Sequence, residues 1–153
     1  MSSLELKIPP PLLALVIGLG MTLLARVLPA IELPYPLRLI LCLVIASIGG
    51  AYSLAGAIAF RAAKTTVNPM TPEKTSSLVQ GGIYNLTRNP MYVGLFLVLC
   101  GWTVFLMSPL VAIGPAGFML WIKHFQIAPE ERALTELFGE EYVKYKLRVR
   151  AWF

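Results

Sequence analysis

The 153-residue sequence contains no aspartate and one histidine, His124. A Ser/His/Asp triad therefore has no acid to orient its base, and a histidine-rich metal site has no ligands to draw on, so no metal is expected. Cysteine is scarce too. Cys42 and Cys100 both lie in apolar runs without metal-type spacing, and they read as reduced small hydrophobes, embedded in lipid or packed. Charged residues make up only 14% of the chain, with 13 basic against 8 acidic. The basic residues cluster beside apolar segments and not along one soluble face. That pattern points to anionic headgroups or an acidic ligand and away from nucleic acid.

What is abundant is apolar surface. Hydrophobic residues make up 57% of a chain whose length suits one domain, and that excess predicts an all-α integral membrane protein. Hydropathy predicts about four transmembrane helices, over residues 11–28, 36–60, 90–107 and 109–127. The first two are each long enough to cross roughly 30 Å of hydrocarbon. Only Ser108 and Pro109 separate the last two, so they form a tight hairpin. The expected organisation is two helices in 1–61, a loop in 62–89, the hairpin in 90–128 and an amphipathic helix with its tail in 129–153. The first run follows Pro9, Pro10 and Pro11 and reaches Arg26 without a small-residue cleavage site, so it is expected to be a retained helix and not a signal peptide.

Arg61, Lys64, Lys74 and Arg88 lie between the second and third runs, and Arg132, Lys144, Lys146, Arg148 and Arg150 lie in the tail, against only Arg26 and Arg38 on the opposite side. The positive-inside rule then puts both termini and the central loop in the cytosol, in a multi-pass protein of the cytoplasmic membrane. Ala46 with Gly50, and Gly49 with Ser53 and Ala57, have the small-xxx-small spacing that lets helix backbones approach closely. Gly18 with Thr22, and Gly114 with Gly117, are treated alike.

The loop is long for a connection between neighbouring helices. It carries Thr65, Thr66, Asn68 and Pro69, then Thr71, Pro72, Glu73 and Lys74, and finally Gln80, Gly81, Gly82 and Tyr84. Hydroxyls, amides and paired glycines suit a backbone that comes close to a ligand.

The polar chemistry concentrates in two places. The first is Arg88, Asn89, Pro90, Met91, Tyr92, Val93 and Gly94. Asn89 before Pro90 suits an N-cap and a first helical residue. Arg88 needs a further reason: a guanidinium beside a helix N-terminus makes a strong anion-binding position. Tyr84 and Tyr92 add aromatic faces suited to a cation or a purine. The second place is Pro129, Glu130 and Glu131, where carboxylates are favoured at a helix start. Leu134, Leu137, Phe138, Tyr142, Tyr145 and Val149 then follow helical spacing, with Glu140 and Lys144 pairing on the outer side. This helix is expected to lie along the interface.

Over residues 79–153 the chain resembles the isoprenylcysteine carboxyl methyltransferase and phospholipid methyltransferase superfamily of integral membrane enzymes. The family pattern G-x-Y followed by R-H-P-x-Y-x-G is met by Gly82, Tyr84, Arg88, Pro90, Tyr92 and Gly94, with Asn89 in place of the histidine. The pattern E-E-x-x-L followed by F-G-x-x-Y-x-x-Y and R-V is met by Glu130, Glu131, Leu134, Phe138, Gly139, Tyr142, Tyr145, Arg148 and Val149.

The resemblance implies S-adenosylmethionine as cofactor, S-adenosylhomocysteine as product, and an amphiphilic or lipid acceptor. It implies a cofactor pocket lined by Gly82, Tyr84, Asn89, Pro90, Tyr92, Glu130 and Glu131, with Arg88 nearest the acceptor and Glu131 beside it in the catalytic pair. Gln126, about one turn before the glutamates, joins that lining. An asparagine at 89 cannot act as a base at neutral pH. Of the possible acceptors, a carboxylate oxygen held by Arg88 needs no base, whereas an amine must lose a proton. Amine or phospholipid N-methylation stays open beside it. So do an NADPH-dependent reductase, because membrane sterol reductases share this C-terminal likeness, and a non-enzymatic scaffold.

Overall fold

Proline sets where most of the helices begin. In the computed structural model, which describes residues 4–63 and 76–153, α1 (Pro10–Ala25), α2 (Tyr35–Ala62) and α3 (Pro90–Leu106) each carry proline at one of their first two positions. A missing N–H costs nothing there. A 3-10 turn (Pro109–Ala112) leads into α4 (Ile113–Ile122), followed by α5 (Ala128–Phe138) and α6 (Glu140–Arg148). No strand occurs among the described residues. Of the predicted loop, the stretch from Thr65 to Lys74 lies outside the described residues; Gly82–Asn85 forms a 3-10 turn.

Two helical stretches, Tyr35–Ala62 and Pro109–Phe138, are long and apolar enough to cross a membrane; α1 and α3 are apolar but shorter. In α2 only Gly49 and Gly56 are fully buried. Leu37, Ile40, Leu41, Leu43, Val44, Ile48, Leu54 and Ile58 are all exposed, an apolar surface of the kind that lipid covers. The whole fits an all-helical membrane protein.

The tightest seam joins α2 to α3. A Cβ at Gly94 would run into Ser53 Oγ and the Gly49 carbonyl, and one at Gly56 would meet Pro90 and Met91 at 3.0 Å. Gly49 and Ser53 thus sit on the packing face predicted for them, while Gly50 and Gly117 point into open space. On the other side, Ala14 and Met21 of α1 join Leu99, Val111, Phe118 and Ile122 in the main core. Trp102 Nε1 donates to Thr22 Oγ1 at 3.0 Å across that contact.

The fourth helix departs from the expected pattern. It does not stop near Ile127 and restart at Pro129; it runs on to Phe138 through a π-turn at Lys123–Ile127. The Ala128 N–H reaches back to Lys123 O, which absorbs one extra residue. Pro129 has no N–H for Phe125 O, four residues back. That carbonyl instead accepts from the Leu6 N–H at 3.0 Å, and Glu5 pairs with Arg132 at 2.6 Å. The segment before α1 therefore completes the break.

The C-terminal amphipathic stretch is two helices and not one. Gly139, at φ +52° and ψ −126°, turns the chain between α5 and α6, in a region open essentially to glycine alone. Tyr142, Tyr145 and Val149 pack with Tyr84 in a second core cluster, flanked by Leu134 and Phe138. Leu137, expected on the same stripe, is exposed; Leu134 and Phe138, one turn apart, carry the inward face of α5. Glu140 and Lys144 form the expected exposed pair at 3.8 Å.

Candidate active site

Three short chains of polar contacts meet where the start of α3, the start of α5 and the end of α6 converge. The first is centred on Arg88. Its guanidinium donates through Nη1 to Lys146 O at 3.2 Å and to Val149 O, and through Nη2 to Glu131 Oε1 at 2.5 Å. Glu131 Oε2 in turn meets Lys146 Nζ at 2.7 Å. The Arg88 and Glu131 side chains are only 10% and 20% exposed, so this is a largely desolvated cation–carboxylate–cation array. Burial alone would raise the Glu131 pKa, but hydrogen bonds from Lys146 and Arg88, with their charges, outweigh it and hold the carboxyl below its usual range. Arg88, expected as an open anion site, thus has both terminal nitrogens occupied by the protein. Its Nε is buried without a hydrogen-bond partner.

The second chain is centred on Glu130, which lies past Ile127, where the apolar run ends. Its Oε1 accepts from the Tyr92 hydroxyl and from Gln126 Nε2, the latter at 3.1 Å. Gln126 is buried and is brought to bear by the π-turn. Glu130 has no cation within ion-pair distance among the described residues. Burial pushes its carboxyl up to about 7, against the pull of the Tyr92 and Gln126 hydrogen bonds. A carboxylate desolvated in this way and lacking a countercharge suits a cationic ligand.

The third chain fastens the tail. Arg88 N–H donates to Arg150 O at 2.9 Å, while Thr87 Oγ1 and Asn89 Nδ2 both donate to Ala151 O, at 3.1 and 3.0 Å. Asn89 occupies the N-cap position of α3 but makes no side-chain cap bond; its amide is used on the tail instead. Trp152 follows, packed edge-on to Phe96 with its Nε1 buried and unpartnered.

The remaining expected site residues fall around these chains. Tyr84 is buried under Phe60, at 5.3 Å between ring centroids, and its carbonyl accepts from Tyr145 OH at 2.7 Å. It backs the site and presents no open ring face. Burial raises the Tyr84 hydroxyl well above its usual range and pushes Tyr145 up to about 12, so both stay protonated. Pro90 is buried against α2, and Gly82 turns the chain at φ +61° on the surface. His124 is exposed, with Nδ1 2.9 Å from Leu120 O on its own helix, apart from these chains. Lys146 and Thr87 were missed by sequence reasoning. Lys146 follows Tyr142 by four residues, which marks it for the inward face of α6, and Thr87 is a hydroxyl directly preceding Arg88.

Comparison with known proteins bears on the chemistry. A profile of the phospholipid methyltransferase family matches residues 37–141. The chain is 37% identical over 75 residues to protein-S-isoprenylcysteine O-methyltransferase of Homo sapiens, covering 49% of this chain and 26% of that protein. It is 38% identical over 79 residues to the Saccharomyces cerevisiae protein of the same name, covering 50% and 32%. It is also 47% identical over 62 residues to an uncharacterized protein of Haemophilus influenzae, covering 40% of this chain and 98% of that one. The chain thus spans about a quarter to a third of the length of the two named relatives.

Proposed function

Because the chain belongs to the phospholipid methyltransferase family, we propose that it transfers a methyl group from S-adenosylmethionine to a membrane-partitioning acceptor, favouring a carboxylate oxygen. The observation that carries this reading is Glu130: a carboxyl held by Tyr92 and Gln126, with no countercharge among the described residues, beside a fixed guanidinium. S-adenosylmethionine brings an activated methyl on a sulfonium, so the protein has mainly to align the acceptor and exclude water. Glu130 holds the cationic end of the cofactor, with Gln126 and Tyr92 fixing its orientation. Glu131 and Lys146 hold Arg88 in place, and Arg88 Nε–H and its second Nη2–H are the donors left for an acceptor anion. When bound, the cofactor would supply an activated methyl to the acceptor oxygen and its sulfur would keep the electron pair of the broken carbon–sulfur bond, so a carboxylate acceptor held at Arg88 would need no base. Tyr84, Asn89, Pro90 and Gly82 shape the surrounding wall.

In this reading four helices cross the bilayer with both termini and the rim on the cytosolic side, where a soluble cofactor arrives while the acceptor enters from the lipid. The Lys and Arg distribution supports that orientation.

Amine methylation is the second reading, favoured by the family's phospholipid acceptors and by a Glu130 carboxyl near neutrality that could take a proton. The nicotinamide-reductase and scaffold readings are not favoured by the comparisons. Transfer of labelled methyl to a prenylated cysteine carboxylate, a phosphatidylethanolamine and a water-soluble carboxylate separates these cases. The expected result is labelling of the prenylated acid, as a base-labile ester. Labelling of the amine alone would replace the first reading with the second, and equal labelling of the soluble acid would remove the membrane acceptor.

A further inference from the structure

The end of the bundle away from the rim has a charged cavity that methyl transfer does not use. Where α1 hands over to α2, Ile31, Glu32, Leu33, Pro34 and Arg38 line an open cavity of about 580 Å³. Arg38 and Phe60, which packs on Tyr84 at the rim, are separated by about 33 Å along the α2 axis. The Arg38 guanidinium lies over the ring of Tyr35 at 5.1 Å and that of Phe105 at 5.4 Å, and Phe105 is stacked on Trp102 at 5.0 Å. These rings hold the cation through its faces and leave its in-plane donors open. Arg38 Nε is buried without a hydrogen-bond partner. Neither Arg38 nor Glu32 has an ion-pair partner among the described residues.

The cavity therefore presents one charge of each sign at two separate points, with a partly buried guanidinium that lacks an anion. Arg38 is half-buried and has no anionic partner among the described residues, so the guanidinium edge that the cavity reaches is the group an anionic occupant meets. Two further features narrow the ligand. The walls between the charges are apolar, at Ile31, Leu33 and Pro34. Beyond them, exposed Leu37, Ile40, Leu41 and Val44 form a stripe down α2 at helical spacing. A phosphodiester accepts from Arg38, an ammonium faces Glu32, and acyl chains cover the stripe.

We propose that this cavity binds a phospholipid with a zwitterionic, ammonium-bearing headgroup, for which phosphatidylethanolamine is the probe, in the leaflet opposite the methyl-transfer rim, as a bound lipid and not as a substrate. The proposal rests on the bilayer placement given above and is independent of the methyl-transfer chemistry. A soluble phosphodiester of ethanolamine shares the headgroup chemistry but leaves the apolar stripe bare.

The test is native mass spectrometry of the detergent-purified full chain with chain-matched phosphatidylethanolamine and phosphatidylglycerol, and with glycerophosphoethanolamine as the soluble competitor. The expected result is retention of phosphatidylethanolamine over phosphatidylglycerol by about two- to fivefold, the weight of one exposed charge contact. Glu32→Gln, a change at an exposed side chain, levels the two lipids, and Arg38→Gln weakens both. Equal retention by the unaltered protein, or an undiminished preference in Glu32→Gln, overturns the proposal. Displacement of the lipid by the soluble competitor at equal concentration overturns its lipid part. Glu130→Gln keeps the preference, so failure at the rim and failure at this cavity are read separately.

Discussion

If Glu130 receives the cationic end of the cofactor, its ionisation and ligand binding are linked. Its carboxyl is pushed from an ordinary 4.5 up to about 7, chiefly by burial. A ligand that needs the charged form must then displace a proton at neutral pH and below. At pH 6 roughly nine-tenths of such a group is protonated, and at pH 8 roughly one-tenth. Affinity for S-adenosylmethionine should therefore be about tenfold weaker at pH 6 than at pH 8, with about 0.9 proton released per ligand at pH 6. Titration calorimetry in two buffers of different ionisation enthalpy measures both quantities. Glu130→Gln should bind more weakly at pH 8, release no proton from this site and lose the tenfold slope. Taking the difference between the two proteins cancels any contribution from titration of the ligand itself, which both share.

The same group makes a prediction for the ligand-free protein. Its folded-state pKa is raised, so between 4.5 and about 7 the unfolded chain holds fewer protons than the folded one. Stability from this group is full below that window and falls as pH rises through it, by at most about 3 kcal/mol. Glu130→Gln should remove that fall, so the variant gains on the unaltered protein from pH 5 to pH 7.5 in thermal unfolding. A pH-independent affinity in the unaltered protein, or an unchanged slope in the variant, would refute the assignment of Glu130 to the cation.

Two further outcomes test how the site is held. Gly94→Ala puts a methyl group against Ser53 Oγ and the Gly49 carbonyl and should cost about 1–3 kcal/mol in detergent unfolding; Gly50→Ala, facing open space inside α2, should instead stabilise by up to about 1 kcal/mol. Leu6→Pro removes the N–H that serves Phe125 O and also cannot adopt the φ of +57° that residue 6 has, so it should cost more than about 3 kcal/mol; Pro129→Ala, by supplying a donor within the helix, should restore at most the hydrogen-bond share of about 1–3 kcal/mol.

Much of this architecture is legible from local pattern. The first three apolar runs agree with α1, α2 and α3 to within three residues at each end, because proline and hydropathy both act locally. The Gly49 and Ser53 face is legible for the same reason: one-turn spacing of small residues is a property of one helix. The convergence of Arg88 with Glu131 and of Tyr92 with Glu130 follows the two motifs, since few other polar groups are at hand to satisfy one another at the end of an apolar bundle.

What local pattern misreads is the partner of each group. Asn89 has the identity of an N-cap but serves Ala151 O, and Arg88 has the identity of an anion receptor but is occupied by Glu131, Lys146 O and Val149 O. In both cases the competing partner is a main-chain carbonyl from the last turns of the chain, and a carbonyl carries no sequence signal. Pro129 misleads in the same way. Proline usually opens a helix, and here it sits inside one, because a π-turn takes up the extra residue and Leu6 supplies the missing donor. The consequence is functional: the break that Leu6 completes lies between Gln126 and Glu130, so the segment before α1 helps to set the geometry of the carboxyl on which cofactor binding is proposed to depend.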